Sequence, residues 1–409
     1  MRQVFLIAVV LIITAGQVMA EVSGLEPPGT VIRIDVDSLP EPYDEPSRAN
    51  SAERITWKRG MLPRVPKGFR VNVFAEGLEH PRRLLVDDRG SVYVAESGAD
   101  KITYIRDNDG DGVGEDVRMC ADDFDTPYGM AIQDGFFYVA DVDHVWRLPL
   151  PLCQAEERVA MTAEGALASG WGHSTRNIAF SEDGQTLYVA VGSRGNIGVE
   201  DEPRATIRAF ALQENSRDYW TYASGLRNPV GLVMRDGVLW TTVNERDGLG
   251  DQLVPDYLAS VNQGDFFGWP YTYLGDFPQP GHYADRPRDK TVRVPEVLFR
   301  SHSAPLGFAF YDAQAFPSEY RGGAFVALHG SWNAIVPQGY LVAYVPFVDG
   351  APEGSYQVFM SGFRVDDDFK VGDSAHVFGK PADVAVAVDG SLLIADDTAG
   401  VIWRVQWQP

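Results

Sequence analysis

Seven histidines are spread over 409 residues, and three of them stand where runs of β-type sequence begin or end. His173 and Arg176 precede "NIAFSEDGQTLYVAVGS", and Arg227 with Asn228 opens a second run in "SGLRNPVGL". His302 introduces a third in "SHSAPLGFAFY", His329 closes a strand in "ALHGSWN", and Lys380 precedes a last run in "FGKPADV". A neutral imidazole accepts a proton near pH 7, whereas guanidinium and ammonium groups bind carboxylates or phosphates. Taken singly, each residue also reads as a hydrogen-bonded turn residue or a partner for a surface carboxylate. Their recurrence at one place in a repeated unit argues for a single shared pocket that holds an anionic ligand beside a base.

The unit that must position them is a short apolar strand, a turn with Asp or Gly, and a second strand rich in Val, Tyr and Ala. Six copies start near residues 81, 127, 175, 228, 304 and 381, as in "PYGMAIQDGFFYVADV" and "PADVAVAVDGSLLIADD". The DG and RG pairs suit the positive φ that tight hairpins demand. Several copies run on into a third strand, such as "KITYIRD" and "GVIWRVQW". Six multi-stranded antiparallel units predict an all-β, six-bladed β-propeller, with two packed β-sandwiches as the competing architecture. No long 3.6-residue period supports a helical solenoid. In a propeller, residues just before the inner strands and just after the second strands meet at the mouth of the central channel.

The chain divides into residues 1–20, an apolar leader ending in "VMA"; 21–66, a Pro- and Glu-rich extension; and 67–409, the propeller. The leader reads as a secretory signal cleaved near Ala20, which predicts a periplasmic or secreted protein with no membrane span in the mature chain. A net charge of -22 opposes nucleic-acid binding, and any anionic ligand needs a local basic pocket. Cys120 and Cys153 are the only cysteines, open to one disulfide or to two buried thiols. In "DNDGDGVGED", Asp107, Asp109 and Asp111 are spaced like the first ligands of an EF-hand. Arg118 stands where the bidentate Glu belongs, leaving a calcium-stabilised loop or a solvated acidic turn. Trp332 and Trp269 lie in aromatic-rich stretches that suit either a platform under a flat ligand or packing between blades.

"GLRNPVGL", followed by "VNERDGLGDQL" and "NQGDFFGWPY", resembles the glucose/sorbosone dehydrogenases, and "GHSTRNIAFSEDGQTLYVAVGS" and "GKPADVAV" resemble the sorbosone dehydrogenase-like branch. The resemblance runs from about Gly68 to Val405. It implies a soluble quinoprotein that uses pyrroloquinoline quinone (PQQ) and calcium to oxidise a sugar or sorbosone-like aldehyde at C1, passing electrons to an external acceptor. It makes His173 the general base and Arg227 with Asn228 the quinone contacts. It places His302, His329 and Lys380 where the glucose enzymes use a threonine, a lysine and an arginine on the cofactor. The carbonyls of Asp247 and Gly248 match the pair on the cofactor's calcium. One departure is Gly172, which replaces the aspartate before the catalytic histidine, so another group must orient the imidazole. Two other readings compete: a metal-dependent propeller lactonase, which needs inward Glu, Asn and Asp ligands, and a non-catalytic propeller that binds a partner.

Overall fold

In the computed structural model, residues 25–155, 157–170, 172–366 and 369–408 are described. The leader, 1–20, lies outside them. Six antiparallel sheets form a six-bladed β-propeller. The first blade is Pro81–Val86, Val92–Glu96, Lys101–Arg106 and Asp116–Ala121, and the third is Ile178–Phe180, Thr186–Val191, Thr206–Ala211 and Tyr219–Ser224. In every blade the first strand is innermost, and these six strands touch in sequence around a closed ring. The sixth blade takes its outermost strand, Phe69–Glu76, from the start of the ring and pairs it with Val401–Trp407. Blade six is also tied to blade one inside the ring, where Asp383 accepts from Leu84 N at 2.7 Å and from Arg83 Nη1 at 2.8 Å.

The sequence explains the second strands. Val92–Glu96, Ala324–Leu328 and Leu392–Asp396 are buried at every position because a blade packs on each side of them. They are therefore apolar at nearly every position rather than alternating, the exceptions being the buried Glu96 and Asp396 at the strand ends. Each fully buried Val, Leu or Phe contributes roughly 1.5–3 kcal/mol, so these strands carry much of the ring's stability. Three hairpin turns have positive φ at both central residues, Asp134–Gly135, Asp236–Gly237 and Asp349–Gly350, the backbone that Asp-Gly pairs adopt most readily. Cys120 and Cys153 form a disulfide between the last strand of blade one and the short turn after the third strand of blade two.

Residues 25–66 wrap the ring. Val31–Ile32 adds a fifth strand to blade five, and Glu53–Arg54 pairs in parallel with His376–Val377. Among the described residues no helix is long and apolar enough to cross a membrane.

Strand direction fixes which loops share an end. Each first strand runs from one end of the ring to the other, the second returns, and the third departs again. Loops that lead into a blade therefore lie at the same end as the loops joining its second and third strands. His173, Arg227, His302 and Lys380 are on loops of the first kind; Asp247 and His329 are on loops of the second. All six gather at one end. The 107–115 loop joins a third strand to a fourth, which puts it at the opposite end.

Candidate active site

His173 sits in the loop before blade three. Its backbone N–H and its Nδ1 both meet the Ser193 carbonyl, at 3.1 and 2.8 Å, and Ser193 Oγ lies 3.1 Å from Nδ1. A carbonyl only accepts, and Ser193 Oγ already donates to Gly195 O at 2.7 Å. Nδ1 therefore carries the proton, which leaves Nε2 with its lone pair and no protein partner among the described residues. Ser193 takes over the orienting task that Gly172 cannot perform. Burial, then the Arg227 charge, pushes the imidazole down to about 4. Gly192 permits this approach: a Cβ there would stand 2.6 Å from His173 Cβ and 2.4 Å from Asn228 Oδ1. Arg176 has a different task. It is fully buried, and its guanidinium donates to the carbonyls of Leu167, Ala168, His173 and Thr175, bracing the loop beneath His173.

Arg227 is locked between blades three and four. Nε donates to Asn196 O at 3.0 Å, Nη1 to Glu245 O at 2.8 Å, and Nη2 reaches Asn196 Oδ1 at 3.1 Å and Asp247 Oδ2 at 3.3 Å. Asn228 is buried beside it, with an unpartnered Oδ1. Asp247 is the hub. Its Oδ1 accepts from Asn333 Nδ2 at 2.8 Å and lies 3.4 Å from His302 Nδ1. Burial favours a neutral Asp247, but the His302 hydrogen bond and the Arg227 charge outweigh it and hold the carboxyl low. His302 is buried with both ring nitrogens engaged: Nε2 donates to Gly250 O at 3.1 Å, and Nδ1 faces Asp247 and Asn333. Burial lowers its pKa, but Asp247, Asp256 and the Gly250 carbonyl together raise it above the usual value.

A second cluster continues the same end. His329 Nε2 lies 2.8 Å from Asp397 Oδ2, which also receives Arg82 and sits 3.4 Å from His80. Burial opposes ionisation of Asp397, yet His329, Arg82 and His80 hold its carboxyl far below the usual range. His329 is itself pushed down by burial, with Arg82 and Lys380 adding to the effect. Lys380 lies over the Tyr340 ring, its Nζ 5.3 Å from the centroid, with no carboxylate partner among the described residues. Burial lowers its pKa. The clusters adjoin, because His329 N donates to Ala304 O at 3.0 Å, two residues beyond His302.

Gly248 is exposed with φ +90°. The Asp247 carbonyl beside it already accepts from Asn196 Nδ2 at 2.8 Å and Arg246 Nε at 3.0 Å. At the opposite end, the carboxylates that converge are Asp107, Asp109 and Glu115. Asp111 stands apart from that group, its Oδ1 accepting from Val113 N at 2.8 Å. Trp269 is buried, its Nε1 donating to Asn196 O at 3.2 Å, so it packs between blades. Trp332 is 53% exposed.

Sequence reasoning missed Ser193, Asn196, Asn333, Arg82 and Asp397. Two of them carried a signal. Asp397 follows a second strand in "LLIADD", the same place as His329, and Arg82 begins the first copy. Asn196 and Asn333 lie inside irregular loops, where nothing periodic marks them.

The TrAA12-like family model matches residues 63–256 and 260–408. A pyrroloquinoline quinone-dependent pyranose dehydrogenase of Coprinopsis cinerea is 25% identical over 406 residues, covering 84% of this chain and 54% of that protein. The chain thus spans about half the length of this relative. Among solved structures, the holo PQQ domain of the Coprinopsis cinerea pyranose dehydrogenase superposes with a TM-score of 0.69 at 21% identity, covering 88% of this chain and all of that one. A calcium structure of a family AA12 carbohydrate-active enzyme from Trichoderma reesei gives a TM-score of 0.71 at 19% identity, covering 86% of this chain and 98% of the other. With the ring and almost all of its loops inside the matched residues, the chain belongs to the TrAA12-like family.

Proposed function

We propose that the protein is an exported, PQQ-dependent sugar dehydrogenase that oxidises an aldose or a sorbosone-like aldehyde at C1, with His173 as the general base. The observation that carries this reading is the His173 tautomer. Its one N–H is committed to Ser193, so the basic Nε2 is left available beside the buried Arg227.

The donor set fits a flat polycarboxylate. Lys380 has no carboxylate partner among the described residues and the buried Tyr128 hydroxyl lacks a hydrogen-bond partner, so both can donate to a carboxylate, whereas the unpaired Asn228 Oδ1 and Asn333 Oδ1 are acceptors that suit a ligand N–H or O–H. Buried polar atoms are rarely left unpaired unless a ligand or water completes them. Arg227, Asn228, Lys380 and His329, with Arg82, would hold PQQ, whereas His302 supports them through Asp247. When bound, PQQ supplies the acceptor for the hydride from the sugar. His173 Nε2 takes the hydroxyl proton, and Arg227 stabilises negative charge that develops near it. An anion bound at Arg227 offsets the charge that depresses His173, so the imidazole becomes more basic once the cofactor is in place.

Calcium fits less well. Hard cations take six to eight oxygens, and of the two carbonyls, Asp247 O is already committed to two N–H donors. No step is assigned to a metal.

The test is reconstitution. Adding PQQ, with and without calcium, to the cofactor-free protein should quench its tryptophan fluorescence and permit dye reduction that depends on an added sugar. Failure to bind PQQ at micromolar concentration overturns the proposal.

A further inference from the structure

We infer that the N-terminal extension forms part of the substrate site: Asn50 is a positioning residue that fixes the 331–335 loop, and that loop presents Trp332 as the platform for a pyranose ring. The platform rests on the sugar-dehydrogenase reading; the positioning role of Asn50 does not.

Asn50 is buried, and its backbone N–H and all its side-chain polar atoms are in use. Its N–H donates to Trp332 O at 2.6 Å. Its Nδ2 donates to Ala334 O at 3.0 Å and Asp373 O at 2.9 Å, while Oδ1 accepts from Ser374 Oγ at 3.2 Å. One side chain therefore joins three segments. The extension makes a second tie a few residues earlier. Tyr43 N donates to Leu249 O at 2.7 Å, and the Glu45 carboxylate accepts from Gln252 N and Nε2 at 3.1 and 2.7 Å. It thus bridges the loop carrying Asp247 and the loop carrying Asn333. The family match begins at residue 63, so these ties come from outside the matched ring.

Fixing the loop has opposite consequences for its two central residues. Asn333 is buried, and its Nδ2 lies 2.8 Å from Asp247 Oδ1 and 3.2 Å from His302 Nδ1. The neighbouring Trp332 projects outward, leaving an exposed indole at the end of the ring where His173 and Arg227 lie. An indole face is electron-rich and pairs with the C–H face of a sugar ring, an interaction that depends on orientation. The loop is tied before Trp332 Cα, where Ser331 N donates to Gln338 O at 2.9 Å, and after it at Trp332 O and Ala334 O, which fixes the backbone that carries the indole. The ordering cost is then met before the substrate arrives, which favours binding over the chemical step.

The experiment uses the full chain with Asn50→Ala, Asn50→Asp, Trp332→Ala and the double substitution Asn50→Ala/Trp332→Ala. Asn50→Asp keeps the Oδ1 acceptor and removes the Nδ2 donors, so it serves if the alanine variant folds poorly. Without cofactor, amide hydrogen exchange over 329–338 should accelerate about ten-fold or more in both Asn50 variants and stay unchanged in Trp332→Ala. With PQQ at saturating concentration, KM for pyranoses should rise about ten-fold in the Asn50 variants and in Trp332→Ala, with kcat within about two-fold of wild type and PQQ affinity unchanged in Trp332→Ala. The double variant should be no worse than the poorer single, because both act through one contact. Unchanged exchange in the Asn50 variants overturns the positioning role. A KM that rises in the Asn50 variants but not in Trp332→Ala overturns the platform. If wild-type protein oxidises no sugar, the platform falls with the enzymatic reading, and exchange still decides Asn50.

Discussion

His173 and His302 occupy matching loops, one leading into blade three and the other into blade five, and both imidazoles are largely out of water. Their protons go opposite ways. Nδ1 of His173 meets a neutral carbonyl, with the Arg227 charge close by, and the ring falls to about 4. Nδ1 of His302 meets the Asp247 carboxylate, and the ring rises. Depth is common to both, so the partner at Nδ1 decides the protonation state. Asp247 ties the two together, holding Arg227 on one oxygen and facing His302 with the other. One histidine is left with a free lone pair, and the other braces the carboxylate that anchors Arg227.

The largest effect that tests this contrast is in turnover. His173→Ala should lower kcat about 10³-fold, within the range of a lost general base, while PQQ affinity stays within about three-fold. His302→Ala should do the reverse and mainly weaken PQQ binding, because it loosens Arg227 through Asp247. Indistinguishable kinetics in the two variants would break the comparison. Asp247→Ala comes next. It leaves the buried Arg227 charge without its carboxylate and takes the acceptor from Asn333, which should cost about 2–4 kcal/mol of stability in urea unfolding, the lower part of the range reflecting the carboxylate's partial exposure. A cost below about 1 kcal/mol would mean that Asp247 is not the link.

The pH dependence sharpens the same contrast. The proposed base role requires neutral His173, whose pKa is depressed, so activity lost to its protonation should appear only as pH falls well below the ordinary histidine value of 6.5. A bound anion moves the midpoint up from about 4, still on the acid side of 6.5. The kcat/KM profile of the PQQ-loaded protein measures it, and an acid limb at or above 6.5 contradicts the depressed imidazole.

How much of this could be read from residues alone follows the same physics. The six blades were legible because second strands packed on both faces must be largely apolar, and Asp-Gly turns mark several of the hairpins that lead into them. The loop residues His173, Arg227, His302 and Lys380 were legible because each lies in the loop that leads into a blade's first strand, a position that repeats. What each does was not legible. Arg176 stands three residues from His173 in the same stretch, yet its guanidinium is spent on the carbonyls of its own loop. Asp397 offsets Arg82 and Asp247 offsets Arg227, so the pocket is less cationic than a count of its basic residues implies. Asn50 lies 284 residues from Ala334 in sequence, and only the folded path of the extension brings it to the 332–335 loop.

The smallest expected effect isolates what orients His173. Ser193→Ala removes the hydroxyl at 3.1 Å but leaves the Ser193 carbonyl at 2.8 Å, the shorter of the two contacts. Nδ1 therefore keeps its proton and Nε2 remains the acceptor. The variant also loses the hydrogen bond to Gly195 O, which tethers the adjoining loop toward Asn196. Such a bond contributes about 1 kcal/mol, so kcat should fall by less than about ten-fold and the acid limb should not move. A loss approaching that of His173→Ala would show that the hydroxyl, rather than the backbone, sets the tautomer. The orienting group would then be a replaceable side chain, in place of a carbonyl fixed at the end of a blade strand.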